Sequence, residues 1–374
     1  MSTTIEERIR NLEDEIRETP KNKSTERHIG FLKAKLAKLR RKQIDFQLSS
    51  RGSTGYGFDV KRTGDGTVVL LGFPSTGKST LISKITSKES KVGSYYFTTT
   101  AAIPGILAHK GTQIQIIDLP GIIEGAHIGK GRGKEILAVA RAADMILLLL
   151  ESKPLDLKII DCYDIIIEEL GKVAIRPDKK KPFIKISKTE RGGISISTLK
   201  ALSHMSEKTF ASIMREYKIS NAQVTVRSDP TIDDLIDILE GNRTYPKLLV
   251  VINKTDLLSR KELKNLKKIF QDAIYISALS GKNLSILKDI IVDKLELIQI
   301  YLKKQGEKTD YEEPLIISKY STIKDVCAKI HRKFEKEFRY AVISGKSAKH
   351  PNQRVGLDHI IREGDVITII TKKF

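Results

Sequence analysis

The most informative stretch of this sequence is Gly72-Phe-Pro-Ser-Thr-Gly77-Lys78-Ser79. It has the GxxxxGK[ST] spacing, follows a short apolar strand and opens a helix at Thr80, which is the context of a P-loop. Its glycines let backbone N–H groups face phosphates, and the helix N-terminus adds positive potential. We expect Lys78 to reach the β and γ phosphates and the Ser79 hydroxyl to bind Mg²⁺. The residues predicted to surround the nucleotide phosphates are Gly72, Pro74, Ser75, Thr76, Gly77, Lys78, Ser79 and Thr80.

Three further motifs follow in chain order, each after a predicted strand. In Asp118-Leu-Pro-Gly121 the carboxylate can hold Mg²⁺, usually through water, and the Gly121 N–H can sense a γ phosphate. In Asn253-Lys254-Thr255-Asp256 the Asp256 carboxylate can accept two hydrogen bonds from guanine N1 and N2, which adenine cannot supply. The backbone of Ser277-Ala278-Leu279 can meet guanine O6. Because the carboxyl ends of parallel strands share one sheet edge, the motifs together predict a site for GTP and Mg²⁺.

The loop Tyr95-Tyr-Phe-Thr98-Thr99-Thr100 precedes Asp118 and must supply a hydroxyl to Mg²⁺ when the γ phosphate is present. We choose Thr99, with Thr98 and Thr100 as alternatives and a threonine-rich strand edge as the structural explanation. The catalytic residues are therefore predicted as Lys78, Thr99 and Gly121.

Ile122 stands where Ras-like enzymes carry a glutamine that orients the attacking water. Isoleucine cannot do this, so slow intrinsic hydrolysis is expected. His127 could align water, although a solvated loop histidine is the commoner outcome.

Short apolar strands alternate with helices, which predicts an α/β fold with a mostly parallel sheet flanked by helices. The predicted strands are Val68 to Leu71, Ile114 to Ile117, Met145 to Leu150, Leu248 to Ile252 and Ala273 to Ile276. About a hundred residues separate the third strand from the fourth, far more than a crossover needs. We therefore predict an inserted α+β domain, with a loop-like basic start at Lys172 to Arg191 followed by strand, helix, strand and helix.

Both ends of the chain carry additional patterns. Apolar residues at helical spacing on either side of Pro20 to Ser24 predict an N-terminal helical hairpin. After a charged linker, a strand at Leu315 to Ser318, one helix from Thr322 to Phe334 and two later strands predict a small domain. The predicted domains are the hairpin at 1–60, the P-loop domain at 61–165 and 243–295, the insertion at 166–242 and the C-terminal domain at 296–374.

Composition limits the classes of function. There are 66 Lys plus Arg against 46 Asp plus Glu, a formal net charge of +20, and 40% of the residues are hydrophobic. The two cysteines lack disulfide or zinc spacing, and the longest apolar run is far too short to span a membrane. These features predict a soluble intracellular protein whose basicity points to nucleic acid or another acidic surface. Taken with the motifs above and the resemblance described next, we expect a cytoplasmic protein with an RNA partner and neither a membrane nor a DNA partner.

The motifs together resemble the Obg-related GTPases of the translation-factor class. The Tyr95 to Thr99 loop, the run from Asp118 to Gly133 and the long insertion look most like the developmentally regulated GTP-binding (DRG) protein family, in its first eukaryotic branch. Gly241 to Pro246 (GNRTYP) fits that family, and Lys349 to Ile361 resembles a TGS domain, a small β-grasp module.

That resemblance implies a ribosome-associated GTPase acting in translation, with a DRG-family regulatory protein as partner. It implies that the insertion has an RNA-binding fold like that of ribosomal proteins, which suits a ribosome or rRNA partner. Several potassium-stimulated relatives have asparagine at the position of Ser75, so only weak K⁺ activation is expected. Two alternatives remain open: a non-catalytic ribosome or RNA scaffold in which GTP is structural, and a P-loop kinase.

Overall fold

The computed structural model describes residues 4–49, 64–86, 104–119, 139–141, 143–155, 157–199, 201–304, 306–307, 309 and 311–371. The chain divides into two compact units. The first consists of residues 1–60, 122–142 and 160–246, and the second of residues 61–121, 143–159 and 247–374. Among the described helices, none has the length and apolar character needed to cross a bilayer.

The described strands, in chain order, are β1 Gly66–Leu71, β2 Pro104–His109, β3 Thr112–Asp118, β4 Met145–Glu151, β5 Ile184–Lys188, β6 Ile194–Thr198, β7 Ala222–Val226, β8 Lys247–Asn253, β9 Ile274–Tyr275, β10 Leu297–Leu302, β11 Leu315–Ser318, β12 Phe338–Ser344, β13 Gln353–Val355 and β14 Val366–Thr371. The helices are α1 Ile5–Glu18, α2 Glu26–Ser49, α3 Lys78–Ile85, α4 Ile159–Lys172, α5 Glu207–Glu216, α6 Ile232–Glu240, α7 Arg260–Ile269, α8 Leu284–Leu295, α9 Ile323–Ile330 and α10 Arg332–Lys336.

A six-stranded sheet with the order β2-β3-β1-β4-β8-β9 forms the centre of the second unit. Every neighbouring pair is parallel except β2 and β3. All six residues of β1 are buried, and all but Glu151 in β4, which explains their uninterrupted apolar sequences. Helices α3 and α8 contribute leucine and isoleucine side chains to the same core. The parallel sheet was therefore predicted correctly, but the antiparallel edge strand β2 was missed, because Pro104-Gly105 masks its start.

The first unit contains the helical hairpin α1–α2 and a three-stranded sheet with the order β5-β7-β6. Strands β5 and β7 are antiparallel, whereas β6 and β7 are parallel. One face of this sheet packs against α5 and α6, and Ala34 and Ala37 of α2 join that core. The loop-like start predicted from Lys172 to Arg191 was wrong in part, since β5 lies inside it. Its strand signal is only Ile184 and Ile186, which the surrounding lysines obscure.

The C-terminal part of the second unit has a five-stranded sheet with the order β11-β10-β14-β12-β13. Its core includes Val326 and Cys327 from α9. The single helix predicted from Thr322 to Phe334 is divided into α9 and α10, because His331 is extended with φ −172° and ψ 140°. The His331 ring nitrogen Nδ1 accepts a hydrogen bond from the Lys333 amide at 3.1 Å and caps α10.

Candidate functional site

The four predicted motifs lie at one edge of the six-stranded sheet. The P-loop follows β1, Asp118 ends β3, Asn253 ends β8, and Ser277 follows β9. These strands run in the same direction, so their carboxyl ends meet. The fold brings the described members of the predicted site together, although they are spread over more than two hundred residues of sequence.

Two glycines of the P-loop are required by close contacts. A Cβ atom at Gly72 would stand 2.4 Å from the carbonyl oxygen of Leu149, and one at Gly77 would stand 2.5 Å from Nδ2 of Asn253. Gly77 also has φ 92° where it begins α3, a conformation that L side chains rarely adopt. The backbone turn that exposes its N–H groups to a ligand therefore depends on both glycines.

Lys78 bridges its own loop. Its ammonium donates hydrogen bonds to the carbonyl oxygens of Gly72 at 2.9 Å and Phe73 at 2.8 Å. Burial lowers the pKa of Lys78, and the Asp118 carboxylate partly opposes that shift. The positive charge is thus held inside the loop, at the place where the motif predicts phosphate oxygens.

One carboxylate oxygen of Asp118 is free to accept a ligand. The Ser79 hydroxyl hydrogen-bonds it, while its Oδ1 atom is buried and has no hydrogen-bond partner among the described residues. Burial raises the pKa of Asp118, and Lys78 and Ser79 oppose the rise. Buried polar atoms are almost always satisfied, so an orphaned carboxylate oxygen beside a hydroxyl is a site that a hard cation fits.

The described residues contain no cluster of three or more His, Cys, Asp or Glu side chains suited to a metal ion. Mg²⁺ commonly takes one or two protein ligands and completes its shell with water and substrate phosphates. Ser79 and Asp118 match that donor set.

Asn253 has a role that its place in the motif did not predict. Its Nδ2 donates to the Thr76 carbonyl at 2.9 Å, and its Oδ1 accepts from the Ala278 amide at 2.9 Å. The residue is only 2% exposed. One buried side chain therefore ties the phosphate loop to the segment predicted to meet the guanine.

The rest of the predicted base site is arranged around Lys254, which has φ 60°. Its ammonium pairs with Glu151 at 2.8 Å, and its carbonyl accepts from the Ser152 hydroxyl at 2.8 Å. Asp256 is exposed, Ser277 is fully buried and Leu279 is 78% exposed.

Glu151 and Ser152 were missed by sequence reasoning. A signal was present, because Glu151 ends the apolar strand β4 and Ser152 directly follows it, and β4 lies between β1 and β8.

Thr99 and Gly121 lie outside the described residues. The same holds for their neighbours in the prediction, Thr98, Thr100 and Ile122, and for His127. Their predicted roles in Mg²⁺ binding, phosphate sensing and water positioning stay predictions.

Comparison with known families covers most of the chain. Residues 67–188 match the family model described as "50S ribosome-binding GTPase", residues 191–297 the model for the C-terminal region of the MMR_HSR1 domain, and residues 298–371 the TGS domain.

Several named relatives are similar over nearly the full length. An uncharacterized GTP-binding protein of Methanocaldococcus jannaschii is 48% identical over 99% of this chain and 93% of the relative. Ribosome-interacting GTPase 1 of Saccharomyces cerevisiae and developmentally-regulated GTP-binding protein 1 of Xenopus laevis are each 45% identical over 100% of both chains. The archaeal relative is at least as similar as the eukaryotic ones, so the identities distinguish no eukaryotic branch. The chain belongs to the family of developmentally regulated GTP-binding proteins.

Proposed function

We propose that this chain hydrolyses GTP to GDP and phosphate and acts as a ribosome-associated switch in translation in the cytoplasm. The observation that carries the proposal is the arrangement of Lys78, Ser79 and Asp118 at one end of the site, joined through Asn253 to the base-binding segment. A lysine for the phosphates, a hydroxyl and a carboxylate for Mg²⁺, and a connected base-binding segment are the groups that a nucleoside triphosphate with its metal ion requires.

Phosphoryl transfer asks the protein mainly for positioning and charge stabilisation. Lys78 would exchange the carbonyl oxygens of Gly72 and Phe73 for phosphate oxygens and stabilise the charge that develops on them. Ser79 and Asp118 would hold Mg²⁺, which supplies further charge neutralisation between the phosphates. We propose Thr99 as a further Mg²⁺ ligand and the Gly121 N–H as the contact to the γ phosphate.

Selection of guanine is assigned to Asp256. Its exposed carboxylate can accept hydrogen bonds from both N1 and N2 of the base, and the backbone of residues 277–279 can meet O6. The Lys254 side chain is held by Glu151, which fixes the turn that presents Asp256.

Ribosome association is supported by three observations. A full-length relative is named Ribosome-interacting GTPase 1, the matched model is described as 50S ribosome-binding, and the chain has a net charge of +20. We propose the ribosome and its rRNA as partners, together with a regulatory protein of the kind that the family resemblance implies.

Phosphate release from GTP, measured with and without ribosomes, tests hydrolysis. We expect slow release by the chain alone and faster release with ribosomes. A chain that binds GTP and Mg²⁺ but never releases phosphate, even with ribosomes and a regulatory partner, would be a scaffold in which GTP is structural. The same assay in KCl and NaCl at equal ionic strength tests for weak K⁺ activation, and equal rates would exclude it.

Asp256→Asn tests base selection. An asparagine presents its N–H group to one guanine donor and a neutral oxygen to the other. One hydrogen bond is therefore lost, the other loses its charge assistance, and GTP affinity should fall on the order of a hundredfold. Xanthosine triphosphate has a carbonyl at C2 in place of the guanine amino group. This oxygen can accept a hydrogen bond from the asparagine N–H, so the variant should bind xanthosine triphosphate more tightly than wild type does. Binding is measured by titration with labelled nucleotides, and Asp272→Asn serves as a control acid outside the predicted site. Unchanged preference for GTP in Asp256→Asn would refute the assignment.

A further inference from the structure

The three-stranded sheet of the first unit has one face packed on helices and one face open. The packed face carries the isoleucine and valine side chains of β5, β6 and β7. The strand register fixes the open face, because side chains alternate between faces. We call the following residues the outer sheet face: Phe183, Lys185, Ser187, Ser195, Ser197, Leu199, Gln223, Thr225 and Arg227.

The outer sheet face is built of three rows that cross the strands. Lys185, Thr225 and Ser197 form one row, and Ser187, Gln223 and Ser195 form the next. The third row continues the same register beyond the strand ends, because the Arg227 amide donates to the Phe183 carbonyl and the Leu199 amide donates to the Val226 carbonyl, each at 3.0 Å. It contains Phe183, Arg227 and Leu199.

Two large apolar side chains are exposed in that third row. Phe183 is 50% exposed and Leu199 is 74% exposed. The Arg227 guanidinium lies 4.7 Å from the centre of the Phe183 ring. An aromatic ring and a guanidinium are both planar groups on which a nucleic-acid base can stack.

The polar rows offer unused hydrogen-bonding groups. Within the described part of the chain, the side chains of Ser187, Ser195, Ser197 and Gln223 make no hydrogen bond. Hydroxyl and amide groups can both donate and accept, so they match ribose hydroxyls, phosphate oxygens and base edges.

Charge on this surface has one sign. The nine positions of the outer sheet face hold Lys185 and Arg227 and no acidic residue. The exposed residues of the flanking stretch are mainly basic, with Lys179, Lys180, Lys181, Lys188 and Arg191 against the acids Asp178 and Glu190. A protein-binding patch of this size would need a larger apolar centre, since charged residues are depleted there. Cations, free hydroxyls and one stacking platform fit a polyanion with exposed bases.

We propose that the outer sheet face binds a single-stranded segment of RNA, with a base stacked on the Phe183–Arg227 pair and the backbone running past Lys185. The inference rests on the proposed ribosome association and names the surface and the RNA conformation it recognises. Four-stranded RNA-binding sheets with several exposed aromatic residues stack roughly two or three bases. The outer sheet face has three strands and one aromatic residue, Phe183, so we assign one stacked base to it.

The test uses the full chain with GDP and Mg²⁺, and a fluorescein-labelled 12-nucleotide single-stranded RNA of mixed sequence followed by anisotropy. Phe183→Ala and Arg227→Ala should each raise Kd by about tenfold, the range of a lost stacking contact. Lys185→Ala should reduce the slope of log K against log salt by about 0.7, the value for one phosphate contact on a single strand. All three residues are exposed, so these variants should fold.

Two control variants remove the same kinds of side chain, a lysine and an exposed aromatic ring, from positions outside the outer sheet face. Lys208→Ala removes an exposed cation from α5, on the helical layer of the same domain, and should leave the salt slope unchanged. Tyr320→Ala removes a 67% exposed ring that lies 5.3 Å from the Lys319 ammonium, and should change Kd less than twofold.

The outcomes separate this inference from the proposed function. Wild-type Kd in both Phe183→Ala and Arg227→Ala would overturn the inference, whatever the rate of GTP hydrolysis. Tenfold weaker RNA binding by both variants would support it even if wild-type chain released no phosphate or failed to sediment with ribosomes. When the chain is photo-crosslinked on ribosomes, the peptide that contains Phe183 should be found attached to rRNA. Attachment of that peptide only to a ribosomal protein would overturn the RNA assignment.

Discussion

Asn253 shows how much of the site depends on one side chain. Its amide hydrogen-bonds both the P-loop and the segment at Ala278, so the distance between phosphate and base subsites is set by a group that contacts both. A displacement of β8 relative to β1 would therefore shift both the phosphate-binding loop and the predicted base-binding segment. This is a positioning function, distinct from the hydrogen bonds that Asp256 is proposed to make.

Asn253→Ala should lower both stability and nucleotide affinity. The Thr76 carbonyl and the Ala278 amide would lose their partner, at a cost of about 1–3 kcal/mol for each buried group left unsatisfied. We expect GTP affinity to fall at least tenfold, because the loops would no longer be held in register. The measurements are thermal unfolding and nucleotide titration.

Thr255→Val is the matched control for that variant. It removes a buried hydrogen bond of 2.8 Å from the Thr255 hydroxyl to the Ile276 carbonyl in the same turn, but no contact to the P-loop. Its stability should fall by about 1 kcal/mol, while GTP affinity stays close to wild type. Equal losses of affinity in the two variants would contradict the positioning role of Asn253.

At this scale the sequence predicted residue types better than contacts. The P-loop could be recognised because its chemistry is local: glycine spacing, a lysine and a hydroxyl within eight residues. The partners of Lys254 and Asn253 could not be predicted from the sequence. Glu151 and Thr76 are distant from them in the chain and become neighbours only because of the order of strands in the sheet.

Helix α7 begins close to the base-binding turn and is anchored there by Glu262. The carboxylate closes a capping box with Ser259 and pairs with Lys153 at 2.8 Å. The Lys153 hydrogen bond, followed by those from Ser259, lowers the pKa of Glu262 to about 2. The element is thus tied to the residues that follow β4.

This pKa predicts a dependence of stability on pH. A carboxylate whose pKa is lower in the folded state stabilises above the unfolded pKa of 4.5 and loses that contribution as pH falls toward about 2. The thermal midpoint of Glu262→Gln should therefore lie below wild type at pH 6 and approach it between pH 4.5 and pH 3. Lys153→Ala should show a smaller difference of the same kind. A constant gap across this range would contradict the ionic contribution of Glu262.

Elements were predictable where their periodicity was undisturbed. Strands β1, β4 and β8 are almost wholly buried and read as apolar runs, so their existence followed from sequence. Strand β5 was missed because only alternate residues face its core, and the others are basic or polar. The break at His331 was missed because the apolar spacing continues through it to Phe334, which packs against the same core.

Over the whole molecule, positive charge is concentrated outside the sheet that carries the nucleotide motifs. Lys172 to Arg191 holds eight basic and two acidic residues, and the last 61 residues hold thirteen basic and six acidic. The N-terminal fifty residues hold twelve basic and eight acidic residues. Most of the net charge therefore lies in these three segments, and we propose that they contact the ribosome.

Ribosome binding should consequently weaken steeply with salt. Contacts to six or more phosphates reduce affinity by a factor of about a thousand or more between 50 and 200 mM salt. Co-sedimentation of the full chain with ribosomes across that range measures the slope, and the thermal midpoint in the same buffers controls for unfolding. Binding that hardly changes with salt would indicate a protein surface as the principal contact.

The insertion between β4 and β8 delays the pairing of these two strands during synthesis of the chain. Glu151 ends β4 and forms an ion pair with Lys254, which directly follows β8 and lies 103 positions later in the chain. A ribosome making 5–20 residues per second needs about 5 to 20 s to cover that interval. Until then the apolar strand Met145–Glu151 has an open edge of the kind that aggregates. During its own synthesis the chain passes through a half-finished sheet that must be shielded, and slow translation of the insertion prolongs that exposure.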